Sequence, residues 1–294
     1  MIILKEVLFV ERSSSSDRFQ PLTSVNSGVG VEVVPDIYCY TDQIVNVVFY
    51  GKQGEGEKWV LIDAGMPTSG RNIIEEAEKR FGAGNPPQAI ILTHAHFDHI
   101  GGLINVLEEW PVPVYAHPLE IPYITGQQDY PDPDFMVEGG MVAKMSALFP
   151  IEAIDIGNRA NPLPADNSVP SMPGWKWIHT PGHSAGHVSF YRESDGALIA
   201  GDVFVTVRQD ALYKVLTQER EMSGPPRYLT PNWPAAEQSV KAMQALHPKV
   251  AVTGHGVPVS GEWLEENLTK LADNFKEMAV PDYGKFVDGD QPAE

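Results

Sequence analysis

The chain carries its densest group of metal-binding side chains in the stretch Thr93-His94-Ala95-His96-Phe97-Asp98-His99. Three imidazoles and one carboxylate lie within the six residues 94–99. Histidine is the commonest metal ligand, and imidazole with carboxylate but without thiolate suits zinc, iron or manganese. Four such groups on so short a piece of chain do not fit comfortably around one ion. The cluster therefore predicts ligands for two adjacent metal ions.

The flanking residues predict a turn between a strand and a helix. Residues 89–93 are a short apolar, partly β-branched run, which is typical of a buried strand. After Gly101-Gly102, apolar residues recur at helical spacing from Leu103 to Trp110. Loops at the carboxyl ends of strands in α/β sheets build binding sites. We therefore expect a metal-binding site on this turn and not a surface loop that is rich in histidine by chance.

Composition limits the class of protein. The chain has 294 residues, of which 43% are hydrophobic, and a formal net charge of −18. This length allows one large domain or two small ones with a sizeable core, and we treat residues 1–294 as a single domain. Proteins that bind nucleic-acid phosphates need a basic surface. The acidic balance therefore disfavours a nucleic-acid partner.

The single cysteine and the absence of long apolar stretches set further limits. Cys39 is alone, which excludes intrachain disulfides and thiolate zinc sites, and we expect it to be packed in a strand. Met1–Val10 is too short and too interrupted by charge for a secretory signal. No stretch approaches the roughly 20 apolar residues of a membrane span. We expect a cytoplasmic protein that does not bind membranes.

The periodicity predicts mixed sheets covered by helices. The predicted strands cover residues 31–34, 37–40, 45–50, 59–62, 89–93, 112–115, 175–179, 188–191, 197–200 and 250–252, and the predicted helices cover 69–82, 103–110, 234–246 and 262–278. Residues 120–170 are proline-rich and weakly periodic, which predicts a lid or insertion with one short helix over Gly140–Phe149. Ser13–Ser16 predicts a loop, and residues 281–294 a polar tail.

Other strand ends, three later in the chain and one upstream, repeat one pattern, in which an apolar strand leads to a histidine or an aspartate beside small residues. The pattern occurs in Thr180-Pro181-Gly182-His183, Ala200-Gly201-Asp202, Thr253-Gly254-His255 and Ile62-Asp63-Ala64-Gly65. A glycine beside such a residue lets the backbone turn sharply and approach an ion closely. One such strand end would mean little, but all of them together predict a metal centre.

The combined motifs resemble the metallo-β-lactamase superfamily over roughly residues 25–260. This resemblance implies the α+β class and an αβ/βα four-layer sandwich, with two mixed β-sheets flanked by helices and a dinuclear site at one edge. Carried over residue by residue, it implies one metal at His94, His96 and His183. The second metal would be held by Asp98, His99 and His255, and Asp202 would bridge both ions. Asp63 would orient a ligand histidine, and His187 would be structural or support the ligands.

The resemblance also implies a metal-dependent hydrolase with two divalent ions, zinc first, with iron or manganese as alternatives. A hydroxide bridging the two ions would attack the carbonyl of a small ester, lactone or thioester. Asp98 and Asp202 are the candidate catalytic residues, because either could shuttle the proton. Two other functions stay open, namely an iron-dependent redox enzyme similar to persulfide dioxygenases and a non-catalytic metal-binding sensor or scaffold.

Departures from the subfamily patterns narrow the choice of substrate. Lactonases that cleave acyl-homoserine lactones carry a tyrosine about three positions after the bridging aspartate, where this chain has Val205. Hydroxyacylglutathione hydrolases carry a basic glutathione-binding segment, of which Phe204–Tyr213 retains only Arg208. Asp202 stands where β-lactamases with a cysteine ligand need that cysteine. RNA-processing members usually carry an added nuclease domain and basic surfaces, and neither is visible here.

The predicted partner is a small molecule with an apolar acyl or aryl part, because binding pockets are mostly apolar. A homodimer is left open. The candidate pocket residues come from residues 120–150 and 203–230 and from the first motif: Phe97, Phe135, Met136, Phe204 and Tyr213. His117, His179 and His247 lack the strand-end pattern, and we expect them to be surface or packed histidines.

Overall fold

The computed structural model describes residues 23–288, in which two mixed β-sheets lie face to face. The predictions for Met1–Val10 and Ser13–Ser16 lie outside the described residues, as does the predicted tail beyond residue 288. Within residues 23–288, no helix is long and apolar enough to cross a membrane.

The first sheet has seven strands, which are neighbours in chain order. They are β1 (Val29–Val34), β2 (Ile37–Asp42), β3 (Val45–Tyr50), β4 (Val60–Ile62), β5 (Ile90–Ile91), β6 (Val114–Ala116) and β7 (Ala160–Pro162). Strands β1 to β4 pair antiparallel as a meander, and β4 to β7 pair parallel. The parallel half brings the carboxyl ends of β4, β5 and β6 to one edge.

The second sheet has five strands in the order β12-β11-β10-β9-β8. They are β8 (Trp175–His179), β9 (Val188–Arg192), β10 (Ala197–Gly201), β11 (Val250–Thr253) and β12 (Val259–Ser260). Only β10 and β11 pair in parallel, so their carboxyl ends also meet at one edge.

Helices cover the outer face of each sheet. The helices are α1 (Gly70–Phe81), α2 (Phe97–Ile100), α3 (Leu103–Glu109), α4 (Ile121–Ile124), α5 (Met141–Met145), α6 (Leu212–Thr217), α7 (Trp233–Ala245), α8 (Gly261–Asp273), α9 (Phe275–Met278) and α10 (Lys285–Asp288). Helices α1 and α3 pack on the first sheet, whereas α7 and α8 pack on the second. The prediction of two mixed sheets flanked by helices is confirmed.

The layers follow from the alternation of side chains along the strands. Ile62 and Ile91 point between the sheets and meet Phe190 and Ile199, while Leu61 and its outward-facing neighbours pack under α1 and α3. Cys39 lies in the layer between the sheets, as expected, and its burial raises the pKa of the thiol to about 12.

The predicted helix over 262–278 is wrong as a single helix, because it breaks at Asn274 between α8 and α9. The Lys270 carbonyl accepts both the Asn274 backbone N–H at 3.1 Å and the Asn274 side-chain amide at 2.8 Å. The backbone of Asn274 has φ −122° and ψ 35°, outside the helical range.

The segment 120–170 contains ordered elements that join the body. The short helix predicted over Gly140–Phe149 is present as α5 and a 3-10 turn over residues 146–148. Strand β7, at the far end of the segment, belongs to the first sheet. The predicted tail is held as far as it is described, because Tyr283 accepts the Glu138 N–H at 3.0 Å and Asp134 accepts the Lys285 N–H. A lid role for residues 120–170 stays a prediction.

Candidate metal centre

The predicted ligands come together where parallel strands of both sheets end. The residues of the first motif follow β5 and enter α2, and Asp63 follows β4. From the second sheet, His183 follows β8, Asp202 follows β10 and His255 follows β11. Parallel strands share the edge at which they end, so the topology brings residues more than 150 positions apart in the sequence to one place.

One group of ligand atoms comprises His94, His96 and His183. These atoms all lie within 4.8 Å of one another, and all three side chains are buried. The His96 Nδ1 is 2.9 Å from the His183 Nε2. Three imidazoles from two loops are thus gathered within reach of a single ion.

A second group comprises Asp98, His99 and His255, again with ligand atoms within 4.8 Å of one another. The His255 Nε2 lies 3.3 Å from Asp98 Oδ2. Asp202 lies between the two groups, since its Oδ2 is 3.5 Å from the His183 Nε2 and 3.2 Å from the His255 Nε2.

The buried polar atoms of this site fit a bound metal. Among the described residues, no hydrogen-bond partner satisfies His94 Nε2, Asp98 Oδ1, His99 Nε2 or Asp202 Oδ1. Buried polar atoms are nearly always partnered in folded proteins. Nitrogen and carboxylate oxygen atoms left unpaired together are the donor set that zinc, iron and manganese accept. The residues present therefore fit two metal ions.

The protonation states divide the histidines into two kinds. Burial lowers the pKa of His94 and of His183 well below the usual value, assisted by the neighbouring imidazoles, which leaves these rings neutral and ready to bind a metal. For His255, burial lowers the pKa, but Asp202 and Asp98 outweigh it and raise the value to about 10. A metal ion at His255 must displace a proton.

Asp63 and His187 form hydrogen bonds to the candidate ligands His99 and Asp202. Asp63 Oδ2 accepts from His99 Nδ1 at 2.8 Å, and its other oxygen accepts the Thr93 N–H at 2.8 Å. The Nε2 of His187 accepts the backbone N–H of Asp202 at 2.8 Å, while its Nδ1 lies 2.8 Å from Thr180 Oγ1. Asp63 thus fixes the ring of a ligand, and His187 fixes the backbone that carries the central aspartate.

Two glycines leave room for this arrangement. A Cβ on Gly254 would lie 2.0 Å from Asp202 Oδ1 and 2.7 Å from the His99 ring. Gly201 has φ +58°, and a Cβ there would lie 2.6 Å from His187 Nε2. Larger residues at these strand ends would displace the ligands.

The structure does not gather the five candidate pocket residues. Phe97 is half-buried against Phe149, with ring centroids 4.9 Å apart. Phe135, Met136 and Tyr213 are 49%, 69% and 72% exposed. Phe204 is fully buried in the core under α7 and α8, so its placement in an accessible pocket is wrong.

Sequence reasoning missed several residues around the centre. Tyr228 is buried, and its pKa is raised well above the usual value by burial and then by the charges of Asp98 and Asp202. Asn46 donates from its side chain to the carbonyls of Thr253 at 2.9 Å and Gly256 at 2.7 Å. Asn46 could have been noticed as a polar residue inside the apolar run of β3. No sequence feature marked Tyr228.

Glu120 and Tyr130 were also missed, and they connect the first motif to the His183 loop. Glu120 is fully buried and accepts the Ala95 N–H and the Gly186 N–H. The Tyr130 ring lies 4.3 Å from the His96 ring.

The three other histidines lie apart from the metal ligands. The rings of His117 and His179 stack at 4.4 Å, and His247 is exposed.

A four-layer sandwich with two such ligand groups at one edge defines a class of metal-dependent hydrolases. The family model for the metallo-beta-lactamase superfamily matches residues 40–255, and the chain belongs to this family. A probable metallo-hydrolase of Bacillus subtilis (strain 168), YflN, is 46% identical over 263 residues, which cover 90% of this chain and 100% of that protein. The predicted family is confirmed.

Two further comparisons show the range of relatives. A hydroxyacylglutathione hydrolase of Pectobacterium atrosepticum is 31% identical over 138 residues, 47% of this chain and 39% of that protein. The crystal structure of the B3 metallo-beta-lactamase BLEG-1 superposes with a TM-score of 0.54 at 23% identity, covering 81% of this chain and 96% of that one. The structural match supports the fold.

Proposed function

We propose that this protein is a hydrolase that uses two divalent metal ions to cleave a small, uncharged ester, lactone or thioester. The observation that carries the proposal is the pair of ligand groups on either side of Asp202, with four buried ligand atoms that lack hydrogen-bond partners among the described residues. Such ions, when bound, would supply Lewis-acid chemistry, lowering the pKa of water from about 15.7 toward 7 and polarising a carbonyl oxygen. Zinc is the first candidate, with iron and manganese as alternatives.

The chain's own residues would orient the reactants and move the proton. His94, His96 and His183 would hold one ion, and Asp98, His99 and His255 the other, with Asp202 between them. Asp98 Oδ1 and Asp202 Oδ1 have no hydrogen-bond partner among residues 23–288. A carboxylate oxygen of either residue that does not bind an ion would accept a proton from the attacking water, as general-base catalysis requires.

The surroundings of the centre favour an apolar substrate. A cluster of apolar side chains includes Ile44, Val215 and Tyr228, with Phe97 and Phe149 packed against it. Tyr228 supplies a polar group in this cluster, because its phenol is protonated at neutral pH and can donate a hydrogen bond. An apolar wall with a few polar anchors is the usual composition of a small-molecule site.

Three of the four cations of residues 208–227 are paired with acids, and the fourth, Arg220, lies over the Trp263 ring at 4.5 Å. Arg208 bonds to Asp210 at 2.8 Å, and Lys214 pairs with Glu221. Arg227 lies 3.2 Å from a carboxylate oxygen of Glu138. Binding an anionic substrate would have to break these pairs, so we favour uncharged substrates over glutathione conjugates. Thioesters stay in the proposal because a relative is named hydroxyacylglutathione hydrolase.

Metal analysis combined with a substrate panel tests the proposal. The purified protein would be stripped with a chelator, reloaded with zinc, iron or manganese, and assayed on lactones, thioesters, aryl esters and phosphotriesters, with oxygen uptake measured in parallel. We expect two metal equivalents and turnover of an uncharged ester, lactone or thioester. Oxygen uptake without hydrolysis would favour the redox alternative, and metal binding without any turnover would favour a sensor or scaffold.

Asp202→Ala is the sharpest variant for this proposal. Removing the carboxylate between the two groups should abolish most turnover and at least one metal equivalent, measured by ester hydrolysis and elemental analysis. Asp166→Ala, at an exposed carboxylate in a loop, is the matched control and should behave as wild type. Near-normal turnover in a fully metallated Asp202→Ala protein would contradict the assignment.

A further inference from the structure

Glu120 is a fully buried carboxylate that lies between the two loops that carry His96 and His183. Its Oε2 accepts the Ala95 N–H at 2.9 Å and the Tyr130 hydroxyl. Its Oε1 accepts the Ser184 hydroxyl at 2.8 Å and the Gly186 N–H at 2.8 Å. Each oxygen therefore receives two donors, which include a backbone N–H from one ligand loop on Oε2 and from the other on Oε1.

These donors lie directly beside metal ligands. Ala95 lies between His94 and His96 in the sequence, and Ser184 follows His183. The Ala95 N–H is also 3.2 Å from the Tyr130 hydroxyl, and the Tyr130 ring lies 4.3 Å from the His96 ring. A shift of Glu120 would thus move His96 and His183 relative to each other.

The chemistry of the carboxylate argues for a geometric role. Burying a charge is costly unless the charge is paired or fully hydrogen-bonded, and here all four donors are neutral groups. A carboxylate accepts at both oxygens and donates at neither, so it can join donors from two loops at once. Gly186 makes this approach feasible, because a Cβ there would lie 2.7 Å from Glu120 Cγ.

We propose that Glu120 is a positioning residue for the first ligand group, fixing His96 and His183 at the spacing that binds a metal ion. The inference rests on the proposed function, in which His94, His96 and His183 hold one of the two ions. Glu120 acts through the backbone of both loops and does not touch the ion or the substrate.

Glu120→Gln tests the proposal with a side chain of nearly the same shape. Its NH₂ group would face either the Ala95 N–H or the Gly186 N–H, and two donors repel each other, so one ligand loop must shift. Loss of such outer contacts typically weakens metal affinity by about 10- to 100-fold. We expect a loss of this size for one equivalent of Zn²⁺ in chelator competition, with the other equivalent close to wild type. The visible absorption of the Co²⁺-substituted protein should change in parallel.

Two further variants separate positioning from general destabilisation. Asp134→Asn alters another buried carboxylate that accepts backbone N–H groups, from Met136 and Lys285, away from the metal ligands. It should leave Zn²⁺ affinity and the Co²⁺ spectrum unchanged. Tyr130→Phe removes one hydroxyl donor but leaves both loops joined by Glu120, and should retain most of the affinity. If Glu120→Gln does not fold, Ser184→Ala removes a single donor and should weaken the same equivalent to a smaller extent.

The outcomes distinguish this inference from the proposed function. Wild-type affinity and spectrum in folded Glu120→Gln, or in Ser184→Ala if it replaces that variant, would overturn the positioning role while wild-type hydrolysis still supports the function. The positioning role would also be overturned if Glu120→Gln weakened Zn²⁺ binding equally at both equivalents and Asp134→Asn did the same. A wild-type protein that takes up no metal would overturn the proposed function first.

Discussion

A single side chain beside a ligand histidine can decide which ring nitrogen faces the centre. Asp63 is the clearest case, because its carboxylate accepts from His99 Nδ1 and so leaves Nε2 for the site. The same carboxylate binds the backbone and the hydroxyl of Thr93, at 2.8 Å and 2.7 Å. Asp63 adopts φ 60°, in the left-handed region that non-glycine residues rarely occupy. Strained backbone of this kind is often found at functional sites.

Asp63→Asn should weaken binding at the second ligand group. The amide would place an NH₂ group against His99 Nδ1 or lose the bond to the Thr93 N–H, so the ring would no longer be held with Nε2 free. We expect the affinity for one metal equivalent to fall by about 10- to 100-fold, measured by Zn²⁺ titration calorimetry, with a matching fall in turnover.

Asp42→Asn provides the control for this prediction. Asp42 is buried in the same sheet and accepts a hydrogen bond from the Asn72 side chain at 2.9 Å. Its hydrogen bond goes to Asn72 and not to a metal ligand, so Zn²⁺ affinity should not change. If Asp63→Asn bound Zn²⁺ with wild-type affinity, the hydrogen bond from Asp63 to His99 would not be needed for metal binding.

At the scale of elements, the strand ends that carry the site could be predicted from the sequence, because the residues that mark them are neighbours in the chain. A short apolar run, a glycine and a histidine or aspartate occur within a few residues, as in Ala200-Gly201-Asp202. The helix break at Asn274 and the burial of Phe204 could not be predicted from the sequence, because each depends on contacts that form only in the folded chain. Glu120 was invisible for the same reason, because its donors Ala95 and Gly186 are 25 and 66 positions away.

The stacked rings of His117 and His179 connect elements of the two sheets, since His117 follows β6 and His179 ends β8. Burial, and then His179, lower the pKa of His117 to about 4. The unfolded chain therefore binds a proton at His117 from about pH 6.5 downward, whereas the folded protein does so only near pH 4. The free energy of unfolding should thus decrease as the pH falls through this window.

His117→Gln should reduce that pH dependence, measured by urea unfolding at several pH values, and NMR titration should place the His117 transition near pH 4 in the wild type. His247→Gln, at an exposed histidine outside the stack, should leave the slope unchanged. A His117 resonance that titrates near pH 6.5 would contradict the prediction.

At the scale of the whole molecule, the candidate centre joins the two sheets. The first sheet supplies the residues from His94 to His99, and the second supplies His183, Asp202 and His255. Each ligand group contains residues from both sheets. The centre also concentrates acids, because Asp63 and Asp202 both lie within 4 Å of His99 in a chain of net charge −18. Bound cations would offset this charge and link the sheets.

Removing the metals should therefore lower the thermal stability of the folded protein. A ligand present at 100 times its Kd stabilises the native state by about 2.7 kcal/mol, which corresponds to a shift in Tm of about 4 °C for a protein of this size. We expect the wild-type Tm, measured by calorimetry, to fall by that amount after chelation and to recover when Zn²⁺ is restored. Asp202→Ala should show a smaller response to the chelator, because it already lacks at least one equivalent. An unchanged Tm would contradict this prediction, provided that elemental analysis shows the protein to have lost both metals. Metal binding between the two sheets would then contribute nothing to the stability of the fold.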